Sequence, residues 1–108
     1  MQMTTLEKVK RLEKYIASDV SASDPVLDIT IEKLLRRETA RISDIQQRLM
    51  KQLEEFEDRY GMKTAEFHER YDKGHLGDEM DYVEWSATID MLANIQKSLD
   101  LLQEGPLS

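Results

Sequence analysis

The side chains best suited to chemistry in this 108-residue sequence are two histidines, His68 and His75, and a large stock of carboxylates; cysteine is absent. His68 and Asp72 are four residues apart, which places two metal-ligand types on one face of a helix. A metal site needs three or four ligands, and no third one converges by spacing, so the pair reads as exposed polar surface. Residues 72–84 can be set against a calcium-binding EF-hand loop, in which Gly77 would fall at the required glycine position. The neighbouring ligand positions are then Gly74 and Leu76, which bring no side-chain oxygen. The closing position is Val83, with Glu84 one residue late, and calcium is rejected. Paired acids do acid–base work only in a cleft that shifts their pKa values, and acids spaced along helix surfaces lack one. There is no glycine-rich phosphate loop, no serine elbow and no thiolate. The sequence reads as non-enzymatic, with no metal or cofactor site.

What remains is recognition chemistry. The net charge is −7, with an estimated pI near 4.8, which argues against direct nucleic-acid binding and against anionic membranes. The charge is unevenly placed. Residues 1–53 carry 10 basic and 8 acidic side chains, whereas residues 54–90 carry 4 basic and 12 acidic, a net of −8. Such a run is either a solvated face or a docking surface for a basic partner. Under the second reading the partner-binding candidates are Glu54, Glu57, Asp72, Asp78, Asp81 and Glu84, with Trp85 as a hot spot. Trp85 is the only tryptophan, and with Tyr82 it also suits a small aromatic core that fixes a short helix carrying Phe67 and Tyr71. Arg36, Arg37, Arg41 and Arg48, with Lys33 and Lys51, make the preceding segment basic. Glu32, Glu38 and Asp44 interleave at helical pairing distances, so an ordinary mixed surface is preferred there to a phosphate-binding face.

The elements that position these residues are helical. Leu, Glu, Lys, Arg, Gln, Met and Ala dominate, and no strand-length alternation occurs. The expected fold is all-α: a long helical hairpin with a short intervening helix and a short N-terminal helix, in a single domain. Residues 1–23 hold the N-terminal helix, from about Leu6 to Ala17 with Thr5 as cap, and a small polar loop. Residues 24–61 hold the long helix, opened by Asp24-Pro25 and closed by Gly61. Residues 64–74 hold the short helix with Thr64 as cap, and residues 78–104 the last one with Asp78 as cap and Gly105-Pro106 as stop. Gly61, Gly74 and Gly77 are read as turn glycines. The long helix carries Ile31, Leu34, Ile42, Ile45, Leu49 and Leu53 at an eleven-residue repeat interrupted by Glu38, read as a solvated gap rather than a hinge. A helix of roughly 54 Å is long for a 108-residue domain, so those six residues are expected to form an oligomer stripe, most simply of a dimer.

No apolar run reaches transmembrane length, and Met-Gln-Met-Thr-Thr-Leu-Glu-Lys lacks the apolar core of a signal peptide. A cytoplasmic location is expected.

The stretch from Tyr60-Gly61 through Glu66-Phe67 and Gly74-His75-Leu76-Gly77-Asp78 to Glu84-Trp85 resembles the signature of a poorly characterised family of short helical bacterial and archaeal proteins. In that family a long helix ends in Tyr-Gly, a short Glu-Phe helix follows, and a Gly-x-Leu-Gly-Asp turn leads into an acidic helix start with Glu-Trp. The resemblance covers roughly residues 45–102. Such proteins are similar to the antitoxin-type partners of small toxins. The resemblance implies a regulator that neutralises a cognate toxin by occluding its basic surface. Self-association as a structural coiled coil is the alternative from the residues alone, and a small nucleic-acid-binding regulator using the Arg36–Lys51 face is a third.

Overall fold

The computed structural model describes residues 2–18 and 24–103. Their architecture is all-α, with four helices: α1 (Thr5–Ile16), α2 (Pro25–Tyr60), α3 (Thr64–Asp72) and α4 (Met80–Gln103). No strand occurs among the described residues. No helix among them is long and apolar enough to cross a membrane. Residues 19–23 of the polar loop, Glu104 and the Gly105-Pro106 stop lie outside the described residues.

Helix ends follow capping chemistry, one residue away from expectation in several places. Thr4, not Thr5, caps α1: its hydroxyl accepts from the Glu7 N–H at 3.1 Å, and the Glu7 carboxylate accepts from the Thr4 N–H. This reciprocal pair satisfies two otherwise unpaired donors. Asp24 caps α2 as expected, its Oδ1 accepting from Val26 N–H at 3.0 Å and Leu27 N–H at 3.4 Å. Proline at the first helical position sacrifices no bond. At the far end Gly61 has φ +61°, and the Met62 N–H reaches back to the Glu57 carbonyl. Gly74 closes α3 the same way, with φ +73° and bonds from Gly74 N–H to Tyr71 O and from His75 N–H to Arg70 O. These left-handed caps satisfy terminal carbonyls at positions where a Cβ would be strained.

Three expectations need correction. Thr64 is the first residue of α3 rather than its cap; Lys63 holds the cap position and offers no side-chain bond. Asp78 precedes α4 without capping it, since the first helical bonds are accepted by the Glu79 carbonyl from the Tyr82 and Val83 N–H groups. Gly77 is not in the left-handed region, and a Cβ built on it meets nothing within 4 Å. The turn therefore does not require glycine there, and the reading of Gly77 as a turn glycine falls.

The chain divides into two compact units, Met1–Leu34 and Leu35–Ser108, with the division inside the continuous helix α2. In the first unit no described residue is buried. Leu6, Val9, Val26, Ile29 and Leu34 are each about half exposed or more. In the second unit the latter part of α2 pairs antiparallel with α4. The Gln46 amide donates to Gln96 Oε1, the Phe56 ring stacks with Trp85, and Tyr60 O–H donates to Asp81, so partners on α4 recede as α2 advances. Leu49 and Leu99 are buried, and Ile42, Ile45 and Leu53 are half buried, Leu53 against the aromatic core.

This changes the meaning of the apolar stripe. Leu49 and Leu53 are covered by the chain itself, and α4 runs along the Ile42–Leu53 portion, so those residues are not a free oligomer stripe. Leu34 remains 49% exposed and Ile31 is half buried. Glu38 is no hinge: the helix runs unbroken through it, and its carboxylate takes Arg41 at 3.1 Å and Arg37 at 3.4 Å. The Arg41 hydrogen bond, with the two positive charges, holds the Glu38 carboxyl below the usual carboxylate range.

Candidate functional site

Three short stretches of chain converge at the closed end of the second unit: the last turns of α2, the whole of α3, and the first turns of α4. They meet because Gly61 lets the chain reverse immediately after α2, and because aromatic residues recur at helical spacing on all three. Trp85 and Phe67 have no exposed surface, and Phe56 is 4% exposed. The Trp85 indole lies parallel to Phe67, centroids 4.0 Å apart and planes within 2°. Phe56 stacks on it at 5.4 Å. Tyr60, Tyr71 and Tyr82 extend the cluster at centroid distances of 5.2–6.0 Å. Leu53, Met62, Leu76 and Ile89 pack around it.

Two polar devices lock this aromatic knot. The Trp85 indole N–H donates to Thr64 Oγ1 at 3.2 Å, and the Thr64 backbone N–H donates to Glu57 Oε2 at 2.8 Å. A carboxylate from α2 thus caps α3, where the Lys63 side chain makes no cap bond, and sits at the positive end of its dipole. The Thr64 N–H, followed by its hydroxyl, holds the Glu57 carboxyl below the usual range. The second device is Asp81, whose Oδ2 accepts from both Tyr60 O–H and Arg59 Nη1 at 2.6 Å. The Tyr60 bond, followed by the Arg59 one, lowers the Asp81 carboxyl, and the bond to Asp81, followed by desolvation, raises the Tyr60 phenol. The Arg59 guanidinium also lies 5.7 Å over the Phe56 ring, within cation–π range.

The candidates read from the sequence therefore separate into groups. Trp85 is completely buried and forms the centre of the knot, so it offers no partner surface; the small-core reading of the aromatics holds. Glu57 and Asp81 are occupied inside the chain. Asp72 is exposed and lies 3.2 Å from His68 Nε2. Glu54, Asp78 and Glu84 are exposed and make no ion pair among the described residues. Sequence reasoning missed Arg59, Tyr60 and Thr64 as the groups that engage Asp81, Glu57 and Trp85. Spacing alone carries one trace of this, the separation of seven between Glu57 and Thr64, which bracket a Gly-containing reversal.

The wider electrostatics follow from the same accounting. Of the four cations in residues 54–90, Arg59 pairs with Asp81, Arg70 with Glu66 at 2.7 Å and Lys73 with Glu69 at 2.9 Å, while Lys63 adds its charge beside Glu57. Seven acids of the segment remain exposed and without an ion pair among the described residues: Glu54, Glu55, Asp58, Asp78, Glu79, Glu84 and Asp90. Against α2 and α4, on one side of the hairpin, lies an open groove of about 380 Å³ lined by Arg48, Lys51, Gln52, Glu55, Phe56, Arg59 and Glu84. No group of three or more His, Asp or Glu among the described residues is arranged to hold a metal ion. The arrangement can bind by charge and shape. No family model, no curated protein and no solved structure matches this chain.

Proposed function

We propose that the chain is a protein-binding regulator that docks its acidic surface on a basic protein and blocks it by occupancy, as an antitoxin does with its toxin. One observation supports this reading above the others. After internal pairing, seven carboxylates of the 54–90 segment stay exposed without a cation. A surface that repels itself in this way is relieved by a partner of opposite sign, which it also steers to the encounter. The aromatic knot acts as the platform beneath, joining the end of α2 to the start of α4, the two stretches that carry most of these acids.

The functional test is co-expression with the product of the adjacent gene, expected to be a basic protein that is toxic alone and harmless with this chain. Replacing Glu54, Asp78 and Glu84 together by lysine should abolish protection while leaving the fold intact. Added salt should weaken binding of the wild-type chain. A neighbour that is harmless on its own would sink the proposal.

A further inference from the structure

The groove beside α2 carries a charge pattern with its own symmetry. Asp44, Arg48, Glu55 and Arg59 are exposed. At 100° per residue they fall within about 60° of the helix circumference, so they form a single row. Asp44 and Arg59 are equidistant from a point between Lys51 and Gln52, and so are Arg48 and Glu55. Read from either end, each acid meets a base. Three of the four (Arg48, Glu55 and Arg59) line the open groove, together with Lys51 and Gln52 at the centre of the row. On the α4 wall of that groove stands Glu84, and Met91, seven residues further on, falls on the same helical face and is 51% exposed.

We propose that this face docks a second copy of the chain, antiparallel, about a two-fold axis that passes between Lys51 and Gln52. Each copy's Arg48 then meets the other's Glu55, each Asp44 meets the other's Arg59, and each Lys51 meets the other's Gln52 amide. An interface of this kind must be self-complementary about its axis. The row satisfies that condition only in the antiparallel sense, because a parallel register would place like charge on like. Arg59 holds Asp81 through Nη1 and keeps other guanidinium donors for a second carboxylate. Exposed ion pairs contribute little individually, so they fix the register, while the exposed Met91 supplies apolar contact. This surface differs from the Ile31–Leu53 stripe, half of which α4 already covers. It shares Glu55 and Glu84 with the acidic surface but uses neither Glu54 nor Asp78, and its readout, self-association of the purified chain, is separate from protection against a toxin.

The test is charge reversal and rescue on the purified full chain, followed by sedimentation equilibrium at low and high salt. The wild-type chain should dimerise. Arg48→Glu and Glu55→Arg should each raise the dimer dissociation constant by about tenfold or more, equivalent to ~1.4 kcal/mol. The double variant R48E/E55R restores both symmetry-related pairs and should recover wild-type association. Both substituted positions are on the surface, and unchanged Trp85 emission confirms that each variant is folded. A wild-type chain that stays monomeric at every concentration overturns the proposal and leaves the groove to a different chain. Single variants that dimerise like wild type, or a double variant that fails to recover, overturn it equally.

Discussion

Trp85 stands at the centre of the second unit's aromatic core. It is buried between two phenylalanines and its only polar atom is satisfied by Thr64. Truncation to alanine should cost ~3–5 kcal/mol, measured by chemical denaturation followed by circular dichroism; a cost below ~1 kcal/mol would remove it from the core. The two occupied carboxyls have a different signature. Asp81 and Glu57 are both held below the usual carboxylate range in the folded chain. On acidification the unfolded chain therefore takes up protons first, and stability is lost as pH falls through about 4 and below. Asp81→Asn should flatten this acid limb, read as denaturation midpoints across the pH range; an acid limb as steep as wild type would show that Asp81 does not carry it.

At the scale of the element, helix caps decide where the chain turns. Gly74 at φ +73° closes α3, so Gly74→Ala should destabilise by about 1 kcal/mol or more through left-handed strain. Gly77→Ala should be close to neutral, since its φ is ordinary and a Cβ there has open space. Thermal melts of the two variants side by side check the contrast. The four helices were legible from periodicity and from Asp24-Pro25 and Gly61, whose chemistry is local. The starts of α3 and α4 were not, because the group capping α3 is Glu57, on another element, and a cap supplied across a reversal leaves no local pattern. That Leu49 and Leu53 of the expected oligomer stripe are covered within the chain was hidden for a related cause: periodicity reports which residues are apolar, not whether the covering helix comes from the same chain. Likewise the aromatic spacing around Trp85 showed a cluster, but the burial that decides between core and hot spot depends on three elements meeting.

Across the whole molecule, the net charge of −7 proves to be mostly surplus acid in the second unit. Three of the four cations of residues 54–90 are consumed in internal pairs, and two of the most suggestive acids, Glu57 and Asp81, are consumed in holding the knot together. The surface left for a partner is carried by Glu54, Asp78 and Glu84, with the neighbouring unpaired carboxylates. The first unit has no buried described residue and keeps several large apolar side chains exposed, while the second has a locked aromatic end. The docking account assigns recognition to charge on that locked end and assigns no part of it to the tryptophan. The most direct measurement is protection against the neighbouring gene's product by the wild-type chain and by the Glu54, Asp78 and Glu84 triple lysine variant, with folding checked by Trp85 emission. The account predicts protection by the wild-type chain and none by a triple variant that is fully folded; undiminished protection by that variant would contradict it.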